Sequence, residues 1–176
     1  MKYSLVVTLS LGLLSLPLLA QNPKRSHIIT VLPESKTAPQ IVSADVLRHP
    51  ISQKTRRMLQ RAMDWMRSGK HREAIEQLEE TLSKDPASAP YVHSLLGFEF
   101  MRTDQYAAAV SSFDQAVALL PHDPINRTNY GVALAAVGDY ERAEEQVRVA
   151  RELDPENPNI RLCADAIARS RRSETR

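Results

Sequence analysis

Apolar residues along this chain follow three regimes. From Leu5 to Leu19 they form a nearly unbroken run, preceded by Lys2 and followed by Ala20 and the polar Gln21. From Gln21 to Ile51 they appear as two short β-branched runs, HIITVL and PQIVSADVL, among prolines at positions 23, 33, 39 and 50. From Ser52 onward they recur three to four residues apart, the spacing of one helix face, in segments cut by Gly and Pro. This pattern predicts first helices near 52–67, 90–102 and 124–137, and second helices near 71–84, 105–119 and 140–153. A final helix is predicted from Pro158 to about Arg169. Ser52 and Asn157 stand ahead of helical runs as N-caps, and Pro90, Pro124 and Pro158 suit first turns, where a missing N–H costs nothing.

The segments repeat. Pro86, Pro121 and Pro155 are spaced 35 and then 34 residues apart. The same offsets align Ala74, Ala109 and Ala143; Leu78, Phe113 and Val147; Trp65, Phe100 and Leu134; and Ala62, Gly97 and Gly131. Gly97 and Gly131 fall where paired helices must approach closely, whereas Gly69 and Gly138 fall at turns between them. A fixed period of this length is the signature of stacked helical units, none of which can bury its apolar face alone.

These columns resemble the tetratricopeptide family, and within it a small exported protein of bacterial type. That family has a small residue and a bulky aromatic on the first helix, Ala and a large apolar residue on the second, and Pro after it. The second copy has Asp104 at the usual turn glycine, and the first departs from the pattern at Ala62, His71 and Thr81. The resemblance implies an all-α fold, a right-handed superhelical solenoid of three helical hairpins over about 52–86, 87–121 and 122–155. A capping helix over 157–170 and a basic tail, 171–176, would complete it. In the cap, Asp165 falls in the small-residue column, where no second helix follows to crowd it.

In this family the first helices line a concave groove. By resemblance its wall comprises Arg56, Leu59, Met63, Met66 and Arg67, then Tyr91, Ser94, Phe98, Met101 and Arg102, then Ile125, Thr128, Val132, Ala135 and Ala136. Flexible thioethers and an aromatic ring repack around different shapes, so such a groove suits an apolar helix or extended segment of another protein. On the first helix Met58, Ala62 and Trp65 form a packing stripe, with a second stripe of Leu59, Met63 and Met66 beside it. A face that wide calls for a cover. A partner, neighbouring helices or the chain's own arm could each provide one. Some members bind C-terminal carboxylates through Lys and Asn on the first helices; Leu59 and Met63 occupy two of those positions, so this mode is not expected here.

Charge and the N-terminus narrow the setting. The run from Leu5 to Leu19 is shorter than the roughly 20 residues of a bilayer span and reads as a secretory signal cleaved after Ala20. An uncleaved anchor is the alternative, and the expected location is periplasmic or secreted. Residues 21–70 carry 10 basic and 3 acidic side chains, and residues 71–170 carry 9 basic and 17 acidic. Lys54, Arg56, Arg57, Arg61, Arg67 and Lys70 make the first helix basic, either a solvated face or a contact for anionic lipid or an acidic partner. Export argues against nucleic acid. The arm, 21–51, reads as extended and could reach the groove of its own molecule or of a neighbour, giving autoinhibition or self-association.

Catalytic patterns are lacking. The histidines at 27, 49, 71, 93 and 122 are scattered, with no H-E-x-x-H or His/Cys metal spacing. There is no G-x-S-x-G, P-loop, dinucleotide fingerprint or haem-attachment motif, and the carboxylates fall on helix faces. No cofactor is implied. The single Cys163 lies in a helical stripe with Ile160, Ala164 and Ile167 and reads as a buried small hydrophobe. Asn126-Arg127-Thr128 matches a glycosylation acceptor but opens a predicted helix. The reading is a non-enzymatic interaction scaffold. The alternative is a structural subunit or assembly factor of an envelope complex, such as outer-membrane, pilus or cytochrome maturation machinery.

Overall fold

The computed structural model describes residues 51–174. The apolar run 5–19 and the arm up to position 50 lie outside the described residues, and with them the signal, anchor and arm-contact readings. Seven α-helices follow in order: α1 (Gln53–Arg67), α2 (His71–Lys84), α3 (Ala89–Arg102), α4 (Tyr106–Leu119), α5 (Pro124–Ala136), α6 (Tyr140–Leu153) and α7 (Pro158–Glu174). A short 3₁₀ turn, Pro86–Ser88, precedes α3. No strand occurs among the described residues, and none of their helices is long and apolar enough to cross a membrane. Each helix packs on the next in sequence, giving three antiparallel hairpins in a right-handed superhelical stack closed by α7.

The three hairpins turn in the same way. Lys70 N donates to Trp65 O, Gln105 N to Phe100 O and Asp139 N to Leu134 O, each at 2.9 Å. This is the six-to-one bond of a Schellman ending, which needs a left-handed residue just before the donor. Gly69 and Gly138 occupy that position with φ of 73° and 88°, and Asp104 takes it with φ of 58°. Side chains cap the starts of α1, α5 and α7. Ser52 Oγ accepts from Thr55 N at 3.0 Å, and Asp123 Oδ1 accepts from Ile125 N at 2.8 Å. Asn157 Oδ1 accepts from Asn159 N at 3.1 Å. Each bond satisfies a first-turn N–H with no partner inside the helix.

The repeated columns form the core. Ala74, Ala109 and Ala143 are fully buried, as are Leu78 and Phe113. Gly131 shows why its column is small: a Cβ there would lie 2.6 Å from Val147 Cγ2 and 2.9 Å from Ala143 O. At Gly97 the ring of Phe113 would be 2.7 Å away. Helix α5 is buried without a break from Tyr130 to Ala136, as befits a helix packed against α4, α6 and α7 together. Two apolar clusters result, one across α1–α3 and one across α4–α7, with Phe98 and Phe100 packed against both. Thr81 departs from the family's Ala, yet it is fully buried and its Oγ1 donates to Gln77 O at 2.7 Å, so the hydroxyl is satisfied within α2.

Three details differ from the sequence reading. The buried stripe of α1 is Thr55, Leu59, Ala62 and Met66, while Met58 and Trp65 are only half-buried. The two expected stripes therefore exchange part of their membership, because the helix turns Leu59 and Met66 toward α2 and α3. The final helix continues through Arg171 and Arg172 to Glu174 instead of ending in a tail at 171, and Arg171 pairs with Glu144 on α6. Cys163 is buried with Ile160 and Ile167, but Ala164 is only half-buried. Asp165, in the cap's small-residue column, faces solvent.

Candidate functional site

The residues expected to line the groove separate by exposure. On α1, Leu59 and Met66 are 6% and 3% exposed, Met63 is half-buried, and Arg56 and Arg67 are exposed. Arg67 is ion-paired to Asp64, three residues back on the same helix. On α3, Tyr91 and Ser94 are buried, Phe98 and Met101 are half-buried, and Arg102 is exposed. On α5, Thr128, Val132, Ala135 and Ala136 are buried and Ile125 is half-buried. Half of the expected wall is thus already covered by the molecule's own helices. The apolar surface still open is carried by Met63, Phe98 and Met101, with Arg56, Arg67 and Arg102 around it.

Local chemistry accounts for this division. Ser94 Oγ is within 2.7 Å of Asn126 Oδ1 and 2.9 Å of Pro90 O, and Asn126 Nδ2 donates to Asp123 Oδ2 at 3.2 Å. These bonds tie α3 to the start of α5 and occupy the amide of the Asn126 sequon, which is 4% exposed. Thr128 Oγ1 donates to Pro124 O at 2.7 Å and presents no free hydroxyl hydrogen to a ligand. Arg102 Nη1 donates to Met66 O at 2.8 Å, bridging α3 to the end of α1. Burial raises the pKa of the Tyr91 phenol above its ordinary value, and the nearby positive charge of Arg56 opposes this. The His93 imidazole is lowered by burial. Of the Arg residues around Met63, Phe98 and Met101, Arg67 is ion-paired with exposed Asp64 and Arg102 stands 4.0 Å from buried Glu99, each one turn back on its own helix.

The match to known proteins follows this geometry. Residues 100–167 match the family model described as tetratricopeptide repeat. Over that stretch the chain carries the tetratricopeptide repeat pattern. Comparison with curated protein sequences gave no match. Among solved structures, the first tetratricopeptide domain of Spaghetti (RPAP3), bound to an HSP90 peptide SRMEEVD, is 24% identical with a TM-score of 0.63, covering 69% of this chain and 96% of that one. The Sgt2 tetratricopeptide domain from Aspergillus fumigatus is 16% identical with a TM-score of 0.65, covering 72% and 85%. The Yersinia enterocolitica type III secretion chaperone SycD, in complex with a peptide of the translocator YopD, is 18% identical with a TM-score of 0.59, covering 71% and 95%. At these identities the likeness establishes the shared fold.

One residue escaped the sequence reading. Leu162 on α7 is 48% exposed, the most exposed large apolar side chain among the described residues. It stands 34 residues after Thr128, so it continues the groove column onto the capping helix. The same offset that sets Asp165 in the small-residue column sets Leu162 in the groove column.

Proposed function

We propose that this protein is a non-enzymatic scaffold that binds an apolar helix or extended segment of another protein along its first helices. The observation that carries this reading is the half-open apolar patch of Met63, Phe98 and Met101. It is flanked by cationic Arg56, Arg67 and Arg102, with Leu162 continuing the line on the cap. Two structures of the same fold hold peptides of other proteins, which supports the mode. Covering one such side chain contributes about 1.5–3 kcal/mol, so three of them suffice for a specific though modest affinity.

The setting we propose is the cell envelope or the exterior, on the strength of the Leu5–Leu19 run between Lys2 and Gln21. The partner reading is tested by probing an array of apolar helical and extended peptides with the native chain and with the double substitution Met63→Asp, Phe98→Asp. A folded double variant, checked by circular dichroism, should lose most peptide capture, on the order of tenfold or more. Capture that survives intact would refute the groove. Cell fractionation tests location independently: a purely cytoplasmic, full-length product would remove the export reading and leave the groove untouched.

A further inference from the structure

Stacking creates three joints at which a first helix packs on the hairpin before it, and one of them is chemically unlike the others. Glu99 of α3, Ala133 of α5 and Ile167 of α7 are related by successive offsets of 34 and are all fully buried. The residues that open the preceding second helices correspond as His71, Tyr106 and Tyr140. Two joints therefore pair an aliphatic side chain with tyrosine positions, whereas the first has a carboxylate with a histidine. Glu99 Oε1 is bonded to His71 Nδ1, and its other oxygen, Oε2, has no hydrogen-bond partner. Arg102 Nη1 approaches Oε2 only to 4.0 Å because it donates to Met66 O, and its counterpart in the next joint is Ala136.

The middle of this joint is apolar. Val92, Leu95 and Leu96, earlier on α3, pack with Leu59 and Leu78 of the first hairpin. The middle of the interface is thus closed by apolar burial and its far end by satisfied hydrogen bonds, Thr55 Oγ1 donating to Asp85 Oδ2 and Ser88 Oγ to Asp85 O, whereas the end near the Ser68–Lys70 turn holds a carboxylate oxygen with no hydrogen-bond partner. Helix packing follows the same gradient: α5 and α7 touch directly, as do α3 and α5, while α1 and α3 make little direct contact. A fully buried carboxylate with a vacant oxygen is a poor adhesive compared with an aliphatic side chain in the same place. His71 and Arg102 are both partly exposed, so water reaches the cluster from the turn side.

We propose that the first joint is an adjustable one. His71, Glu99 and Arg102 form a polar clasp at its turn end, and the α1–α2 hairpin swings about the apolar middle near Leu78 and Leu95. Because Met63 and Met66 lie on one side of the clasp and Phe98 and Met101 on the other, its opening sets the width of the groove. The inference stands without any ligand and does not depend on the partner reading.

Hydrogen exchange of the purified full chain tests it against the triple substitution His71→Tyr, Glu99→Ala, Arg102→Ala, which installs the residues of the second joint. In the native chain, amides of α1 and α2 should exchange faster than those of α5 and α6. The triple variant should slow them by roughly tenfold and raise the urea midpoint. Unchanged exchange would assign the loose end to ordinary fraying of a terminal repeat, and a lower midpoint would make the cluster a net stabiliser; either overturns the proposal. Should the triple variant not fold, Glu99→Gln decides. It removes the buried charge, keeps the acceptor for His71 and strands no buried cation. Slower exchange in α1 and α2 is expected, and exchange that is unchanged or faster refutes the clasp.

Discussion

At the scale of single residues, this fold depends on places where there is no room for a side chain. Gly131 has rigid neighbours: the carbonyl of Ala143 is backbone and Val147 is 2% exposed. Gly131→Ala must therefore push α5 away from α6, at a cost of about 1–3 kcal/mol, read as a lower urea midpoint with an unchanged m-value. Tyr130 gives a second prediction at this scale. Its hydroxyl donates to Asp114 Oδ1 at 2.8 Å, and burial, aided by that carboxylate, pushes its pKa up to about 12. The unfolded chain ionises the same phenol near 10. The stability that goes with a neutral Tyr130 is complete below about pH 10 and is lost as pH rises toward about 12. Tyr130→Phe should flatten that alkaline decline in a plot of midpoint against pH. Burial raises the Cys163 thiol to about 11, which fits a packing residue with little thiolate at neutral pH.

At the scale of elements, each helix is half of an interface, and the ends of the stack need separate solutions. The N-terminal end is polar: Lys54, Arg57 and Arg61 of α1 are exposed at the positions that Ala89, Val92 and Leu96 fill in α3, where they meet the preceding hairpin. The C-terminal end is closed by α7, which places Ile160, Cys163, Ala166 and Ile167 against the last hairpin and turns Arg161, Asp165 and Arg169 to solvent. Ile167 is fully buried. Ile167→Asp should undock α7, uncover Val147 and Leu134, and destabilise the domain by about 3 kcal/mol or more, with dye binding to the exposed apolar surface as the readout. If the variant melts like the native chain, α7 is not the cap described here.

At the scale of the whole molecule, function depends on the balance between surface the solenoid buries for itself and surface it leaves open. The apolar wall read from the family pattern is divided by stacking into a covered part, Leu59, Met66, Tyr91, Thr128 and Val132, and an open part, Met63, Phe98 and Met101. The sequence alone determined the helices, their pairing and the turns, because Gly, Pro and the 34-residue columns act through backbone conformation and helix contact within one hairpin. Those forces are local and recur in every copy, so they leave a periodic trace. It could not determine which of two adjacent stripes on α1 would be buried, since Met58 and Leu59 are alike in hydropathy and only the crossing of α1 over α2 and α3 chooses between them. Nor could it show that Glu99 is fully buried against His71, a contact between residues 28 apart that breaks the repeat instead of following it. Periodic sequence specifies the unit; the tertiary structure decides how neighbouring units meet, because that depends on how side chains from different repeats fill one shared space.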